Sequence, residues 1–267
     1  MSHHTISSRQ NPKIKQARAL ATRKGRDESG LFLIEGIRHV AEALQADFPL
    51  QSIFFAPELL RSEFAHNLIA QAAAQDVEIF QTPAEIFTTL AEKDSPQGIV
   101  AIAYQRPLPL PALSPNTHPW VTAAITPQDP GNLGTILRTL DAVGANGLIL
   151  LEGGADPWHP TSVRASMGAL FWIPVVQTDW DTFAAWARGY HLYGTSARGT
   201  ADFRAVSYVQ PAVLLLGSER EGLSQEQART CETLIRLPME GRVSSLNLAV
   251  AAGVALFEMR AQFKGEA

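Results

Sequence analysis

Residues 120–140 read WVTAAITPQDPGNLGTILRTL, an apolar run, then a turn with two prolines, then a helical pattern. The run Trp120–Ile125 predicts a buried strand, and the pattern from about Asn132 to Val143 predicts a helix. Its apolar residues recur at the spacing of one helix face, at Leu133, Ile136, Leu137 and Leu140. This spacing turns Arg138 away from the buried face. A strand leading directly into a helix indicates an α/β fold.

The same alternation continues on both sides of this stretch. Downstream, a mostly parallel sheet is predicted from strands near 147–151, 173–176, 191–194, 212–216 and 234–237. Upstream, a small α/β domain is predicted from strands near 31–34, 52–55, 77–80 and 99–104, with helices near 37–44, 64–74 and 84–90. Between them, residues 106–119 carry five prolines and read as a linker. We therefore expect domains at 1–105 and 120–267.

Composition removes several classes of protein. Hydrophobic residues make up 46% of the chain and charged residues 18%, which excludes a largely disordered chain. The single cysteine, Cys231, cannot form an internal disulfide, and the scattered histidines predict no metal site. Neither an 18-residue apolar run nor a signal peptide is present, so no membrane span and a cytoplasmic location are expected.

The charge is distributed unevenly. The net charge is −4, yet residues 1–26 hold seven basic side chains and no acidic one. These cations are Arg9, Lys13, Lys15, Arg18, Arg23, Lys24 and Arg26. Such a segment is typical of a surface that binds a polyanion, and a solvated basic terminus is the equally weighted alternative.

Common cofactor motifs are missing. No two of the 19 glycines are spaced as in G-x-G, and no Gly-Lys dipeptide occurs, which disfavours dinucleotide dehydrogenases and P-loop enzymes. Ligands of parallel sheets bind beyond the carboxyl ends of the strands. The loops at 126–131, 195–199, 217–222 and 238–243 are therefore the candidate site.

Each of these loops also has a purely structural interpretation. Asn132 is placed to cap its helix, and Arg138 could pair with Asp141. Ser224 is placed to cap the helix after the 217–222 loop. The segment from Ser244 onward predicts an apolar, closely packed helix that could meet another subunit, and a polar Asn247 within it would need hydrogen bonds.

Taken together, three segments resemble motifs of the SpoU (TrmH-like) branch of the SPOUT RNA methyltransferases. The first motif is present as Asn132, Gly134, Ile136, Arg138 and Thr139. The second spans Leu216–Leu223, and the third comprises Leu237–Met239 and Ser245–Asn247. Stretches 163–170, 32–36 and 97–101 are also similar to the family, so that the resemblance covers nearly the whole chain.

The resemblance implies an S-adenosylmethionine-dependent 2'-O-ribose methyltransferase with an N-terminal RNA-binding domain. It also implies a knotted C-terminal parallel-sheet domain and a homodimer. It assigns catalysis to Arg138, Asn132, Glu219, Ser245 and Asn247, and cofactor binding to Leu216, Gly217, Ile235, Leu237 and Leu246. Arg164 joins the seven cations of residues 1–26 as an RNA-binding candidate. Because arginine stays protonated, we expect Arg138 to stabilise a developing alkoxide or hold a phosphate rather than act as a base.

Three alternatives remain at this point. The acceptor RNA could be ribosomal or transfer RNA. A non-catalytic RNA-binding protein could retain the fold, although the intact motif residues weigh against it. A small-molecule enzyme is opposed by the missing G-x-G and by the basic segment.

Overall fold

The computed structural model describes residues 4–91 and 96–265. The first half of the chain forms β1 (His4–Thr5), α1 (Pro12–Ala19), α2 (Arg23–Ser29), β2 (Leu31–Glu35), α3 (Ile37–Gln45), β3 (Leu50–Phe55), α4 (Glu63–Ala74), β4 (Glu78–Gln81), α5 (Ala84–Phe87) and β5 (Ile99–Tyr104). The second half forms β6 (Trp120–Ile125), α6 (Pro130–Val143), β7 (Gly147–Leu151), α7 (Pro160–Ala165), β8 (Val175–Thr178), α8 (Trp180–Trp186), β9 (His191–Thr195), β10 (Ala201–Asp202), β11 (Ala212–Leu216), α9 (Gln225–Thr230), β12 (Thr233–Arg236) and α10 (Leu248–Phe263).

The chain divides into two compact units. The first unit comprises Met1–Arg106 and Trp158–Phe171, and the second comprises Pro107–Pro157 and Trp172–Ala267. The division after Arg106 lies at the start of the proline-rich stretch. Unlike the predicted domains, the proline-rich residues group with the second unit, and residues 158–171 group with the first.

The first unit is built on a five-stranded mixed sheet in the order β1-β4-β3-β5-β2. Strand β5 runs antiparallel to both β2 and β3, while β4 pairs in parallel with β1 and β3. One core cluster of this unit contains Phe54, Phe80 and Ile102 from the sheet. The same cluster contains Ile14 and Ala17 from α1, so α1 covers this sheet.

The basic segment is therefore a folded part of the first unit. Ile14, Ala17 and Leu20 are almost fully buried, although α1 and α2 are polar in composition. The alternative of a solvated basic terminus is therefore wrong for the part of residues 1–26 that forms α1 and the start of α2. Three buried apolar residues among many charges are a weak periodic signal, but they suffice to dock a short helix.

Residues 158–171 are held in the first unit by aromatic and charged contacts. The Trp158 and Phe32 rings have centroids 4.8 Å apart, and Phe48 meets Phe171 edge-on at 5.2 Å. Arg164 Nη1 lies 3.8 Å from Glu35 Oε2. These contacts cover β2, which is an edge strand of the sheet.

The second unit contains a seven-stranded sheet in the order β10-β12-β9-β11-β6-β7-β8. Every pairing in it is parallel, as predicted. The predicted bounds of β6, β7 and β11 match the observed ones. Because the strands are parallel, all of their carboxyl ends meet at one edge of the sheet, called here the carboxyl edge.

Helix α10 carries no polar side chain from Leu248 to Phe257, but it is buried on one side only. Ala252, Leu256 and Met259 are fully buried, whereas Val250 is 51% exposed and Phe257 54% exposed. The exposed face is the side of the helix on which contact with another subunit, allowed for in the sequence analysis, stays a prediction. No helix in the described residues is long and apolar enough to cross a membrane.

Candidate active site

The loop after β6 enters α6 through an aspartate cap. Asp129 is the N-cap, and its carboxylate accepts a hydrogen bond from Asn132 N at 2.7 Å. Pro130 follows at the first helical position, where the absent N–H costs nothing. The interpretation of Asn132 as the cap is therefore wrong, and its side chain is available for contacts with other loops.

Three loops from distant parts of the chain are joined by side-chain hydrogen bonds. Asn247 Nδ2 donates to Asn132 Oδ1 at 2.8 Å, and Asn132 Nδ2 donates to Glu219 Oε1 at 3.4 Å. The backbone N–H of Gln128 donates to Glu219 Oε2 at 3.0 Å. Asn132, Glu219 and Asn247, one from each motif, thus form one hydrogen-bonded chain at the carboxyl edge, called here the Asn132 cluster.

Glu219 is presented by a tight turn after β11. Ser218 and Gly222 exchange backbone hydrogen bonds of 3.1 and 3.0 Å, which closes the turn on itself. A Cβ on Gly217 would lie 2.5 Å from the carbonyl carbon of Gly222, so only glycine fits where the two arms meet. Ser224 caps the following helix with a full capping box, as expected.

The loop after β12 differs from the others in having almost no internal bonding. Within the described chain, no backbone hydrogen bond involves residues 237–246. The loop ends at Asn247, which is the N-cap of α10 and accepts from Ala249 N at 2.9 Å and Val250 N at 3.3 Å. Asn247 therefore lies before the helix, not inside it, which explains how its amide is satisfied. Ser245 is exposed and forms no hydrogen bond to described residues.

Arg138 is exposed on α6, as its spacing predicted. Among the described residues its guanidinium forms neither an ion pair with Asp141 nor any hydrogen bond. It lies six positions beyond Asn132, which is about 9 Å along the helix axis and roughly 120° round it. The structure thus joins Asn132, Glu219 and Asn247, but does not bring Arg138 or Ser245 into that hydrogen-bonded chain.

The predicted cofactor residues lie at the ends of β11 and β12 and in the loops that follow these strands. Leu216 and Ile235 are fully buried at the ends of β11 and β12. Gly217 is buried beside Leu216, Leu237 is half-buried, and Leu246 is 38% exposed. Leu237 and Leu246 belong to the 237–246 loop, whose backbone donors and acceptors are unused among the described residues.

The RNA-binding candidates separate into two groups. Arg9, Lys15, Arg23 and Lys24 are exposed on the first unit. Lys13 forms a 2.6 Å ion pair with Glu78.

The guanidinium groups of Arg18 and Arg26 form hydrogen bonds within the first unit. Arg18 donates to Thr89 Oγ1 at 2.6 Å. Arg26 is 1% exposed and donates to the carbonyl oxygens of Leu20 and Ala21 at 2.8 and 3.1 Å. The assignment of Arg26 to RNA contacts is therefore wrong, because its guanidinium is buried and hydrogen-bonded within the first unit.

Sequence reasoning missed the residues that make the site rigid. Asp129 was readable as an N-cap from the proline that follows it. Gly154 was not readable: its φ is +103°, and a Cβ there would lie 2.4 Å from Pro127 O. The loop after β7 thus packs directly against the loop after β6, and Ala155 N donates to Pro127 O at 2.6 Å.

The described residues contain no group of three or more His, Cys, Asp or Glu side chains that could hold a metal ion. Burial raises the pKa of the Cys231 thiol to about 12, and the thiol donates to Gln227 O. A thiol in this state is a poor nucleophile near neutral pH.

Comparisons with known proteins identify both halves of the chain. Residues 120–257 match the model of the SpoU rRNA Methylase family, and residues 11–101 match the MRM3-like substrate binding domain. A parallel sheet with these three loops at its carboxyl edge, preceded by such a domain, defines an RNA 2'-O-methyltransferase. The chain belongs to the SpoU rRNA methylase family.

Individual relatives match this chain over 90% or more of their own length. The 23S rRNA (uridine(2479)-2'-O)-methyltransferase of Streptomyces viridochromogenes is 32% identical over 95% of this chain and 90% of its own. RlmP of Bacillus subtilis, a 23S rRNA (guanosine(2553)-2'-O)-methyltransferase, is 29% identical over 96% and 98%. An AdoMet-bound rRNA methyltransferase from Sinorhizobium meliloti superposes with a TM-score of 0.88 at 36% identity, covering 96% and 97% of the two chains. The predicted family, fold class, activity and cofactor are confirmed.

Proposed function

We propose that this enzyme methylates a ribose 2'-hydroxyl of 23S ribosomal RNA, with S-adenosylmethionine as methyl donor. The observation that carries the proposal is the Asn132 cluster, which joins the three motif loops at one edge of the parallel sheet. The two relatives named above that carry a substrate in their names act on 23S rRNA. A ribosomal substrate also supports the predicted cytoplasmic location.

The loop at 237–246 fits the cofactor. Each residue other than proline carries one backbone donor and one acceptor, and here the described chain bonds none of them. The Leu246 side chain, which is 38% exposed, would supply an apolar contact. Backbone groups at the ends of β11 and β12 and in this loop would recognise the polar parts of the ligand. When bound, S-adenosylmethionine supplies an electrophilic methyl group on a sulfonium centre.

Arg138 is proposed to act on the acceptor. The ribose 2'-hydroxyl is a weak acid, so a cation is needed where negative charge develops on its oxygen. An exposed guanidinium without a partner among the described residues is able to make that contact, or to hold the adjacent phosphate. Its planar fork suits either role better than an ammonium group does.

Asn132, Glu219 and Asn247 are proposed to orient the reacting groups. Glu219 accepts from both Asn132 Nδ2 and Gln128 N, which fixes its carboxylate. The cap hydrogen bond holds the Asn247 side chain in place, and the Asn247 amide in turn positions Asn132 by donating to its Oδ1. Ser245, two residues earlier on the exposed loop, would contact the ribose or the cofactor once the loop is occupied.

A homodimer is proposed to complete the enzyme. Val250, Val254 and Phe257 follow one another at helical spacing on the exposed face of α10. Helix α10 packs on α6, the helix that carries Arg138. A second copy seated on this face would cover the apolar stripe and bring a further protein surface close to α6. The trefoil knot implied by the family stays a prediction.

The first unit is proposed to bind the RNA substrate. Its exposed cations Arg9, Lys15, Arg23 and Lys24 lie on or near α1 and α2, within the region that matches a substrate-binding domain. Arg164 is placed near Glu35 and Thr161, so a role in RNA binding would require it to exchange these contacts. The proposed domains remain 1–105 and 120–267, joined by residues 106–119.

A transfer assay tests the substrate. Labelled S-adenosylmethionine is incubated with unmodified 23S rRNA, 16S rRNA or a tRNA pool, using the wild type and Asn132→Ala. We expect label in 23S rRNA only, and at least a tenfold slower rate for the variant. Label confined to tRNA would overturn the ribosomal assignment, and cofactor binding without any transfer would favour a non-catalytic RNA-binding protein.

A further inference from the structure

Three arginines near the active site have no part in the mechanism described so far. Arg198 follows β9, Arg236 ends β12, and Arg242 lies in the loop after β12. All three are exposed, and none has a side-chain hydrogen bond or ion pair to the described residues. This set is called here the arginine edge.

The backbone brings Arg198 and Arg236 to the same place. After β9 the chain turns at Ser196, whose N–H donates to Ile235 O and whose hydroxyl accepts from Arg198 N at 3.1 Å. It then crosses the end of β12 so closely that a Cβ on Gly199 would lie 2.7 Å from Leu234 O. The turn that carries Arg198 is therefore fixed over the end of the strand that carries Arg236.

After crossing the end of β12, the chain forms β10, in which Asp202 is the register partner of Arg236. Asp202 is nevertheless engaged by Arg204, through the backbone N–H at 3.0 Å and Nε at 3.6 Å. The Asp202 carboxylate beside Arg236 is thus already paired with Arg204. Residues 196–206 and 236–246 together contain four arginines against two acids, so this part of the edge carries net positive charge.

The arginine edge lies on the same side of the sheet as the Asn132 cluster. All seven strands are parallel, and β12, β9 and β11 are neighbours in the sheet. The loop that carries Arg198 is therefore next to the loop that carries Glu219, and Arg236 lies one strand further along the sheet. Neighbouring strands lie about 4.8 Å apart, which keeps these loops within reach of one short ligand segment.

We propose that the arginine edge binds phosphates of the RNA strand next to the nucleotide that is methylated. Exposed guanidinium groups recognise phosphates through paired N–H donors, and they gain affinity by releasing counterions from RNA. This inference rests on the proposed function, since it assumes that an RNA strand enters at the carboxyl edge. It assigns phosphate contacts to the second unit, in addition to those expected on the first.

The test uses full-length protein and an unmodified 23S rRNA transcript. Arg198→Ala, Arg198→Ala with Arg236→Ala, and Arg198→Ala with Arg242→Ala are compared with Arg188→Ala. Arg188 is an exposed arginine just before β9, at the opposite edge of the sheet, so its variant changes charge equally. RNA affinity is measured from low to high salt, and binding of S-adenosylhomocysteine is measured by calorimetry.

We expect each arginine removed from the edge to lower the salt slope of RNA binding by about one, and each pair to weaken binding roughly tenfold. Arg188→Ala should leave the slope unchanged, and Arg198→Lys should restore most of it. Cofactor affinity and melting temperature should stay as in the wild type for Arg198→Ala.

An unchanged slope in the Arg198/Arg236 and Arg198/Arg242 variants, with normal methyl transfer by the wild type, would overturn the arginine edge alone. A wild type that binds cofactor yet methylates no RNA would instead overturn the proposed function. The two failures are therefore distinguishable.

Discussion

The two basic regions of this molecule differ in what their cations already contact. In the basic segment of the first unit, Lys13 pairs with Glu78 and Arg18 with Thr89, while Arg26 is buried against backbone carbonyls. In the arginine edge of the second unit, no cation has such a partner among the described residues. The denser run of charge in the sequence thus contributes more to folding, and the sparser set is better placed to bind a ligand.

Removing residues 1–26 tests this difference most severely. The deletion takes away β1, α1 and the buried Ile14 and Leu20, each of which contributes about 1.5–3 kcal/mol by burial. We expect a loss of about 5 kcal/mol or more, comparable with the whole stability of a domain. Thermal melting and limited proteolysis would show an unfolded first unit.

The matched control is Lys15→Ala with Lys24→Ala, which removes two exposed cations from the same segment and should keep the wild-type melting curve. A truncated protein that still melts cooperatively at the wild-type temperature would show that the segment is not part of the core.

Arg138 and Arg26 offer a sharper version of the contrast, since one guanidinium is exposed and the other buried. Arg138→Ala should lower single-turnover methyl transfer on the order of 100-fold or more, the usual cost of a lost transition-state donor. The free energy of unfolding should change by less than about 0.5 kcal/mol. Arg138→Lys should recover little, and a near-normal rate in the alanine variant would remove Arg138 from catalysis.

Arg26→Ala should have the opposite signature. It removes the donor from the buried carbonyl of Leu20 and from the partly buried carbonyl of Ala21, and should destabilise the protein by about 2 kcal/mol. Methyl transfer per folded molecule should remain close to the wild-type rate. Denaturant unfolding with Lys24→Ala as control checks this, and a stability equal to wild type would contradict the structural role.

Two substitutions of Asn247 distinguish its role as the cap of α10 from its proposed role in catalysis. Asn247→Ala removes both the α10 cap and the donor to Asn132, and should cost about 1 kcal/mol of stability. Asn247→Ser keeps a capping oxygen but loses the donor, so its stability should be near wild type while the transfer rate still falls. Equal rates for the serine variant and the wild type would show that the bond to Asn132 has no catalytic effect.

The parallel sheet was largely predictable because its strands are short apolar runs bounded by turn residues. Strands β6, β7 and β11 were placed residue by residue for this reason. Helices α1 and α2 were missed because charged residues dominate them and only a few apolar positions are buried. Strand β10 has two residues, too few for any periodic signal.

The site was predictable in its residues but not in its geometry. The motifs located Asn132, Glu219 and Asn247, yet their hydrogen bonds span up to 115 positions along the chain. The assignment of the cap of α6 to Asn132 failed because Asp129, three residues earlier, competes successfully for that role. No local sequence pattern indicates that Gly154 lets the loop after β7 contact the loop after β6.

The central claim is methyl transfer to a ribose hydroxyl, and the chemical position of the methyl group tests it most directly. Unmodified 23S rRNA is labelled by the wild-type enzyme with tritiated S-adenosylmethionine and then hydrolysed in alkali. A 2'-O-methyl group blocks cleavage at its own nucleotide, so the account predicts that the label appears in alkali-stable dinucleotides. Label released in mononucleotides would place the methyl group on a base and contradict the account.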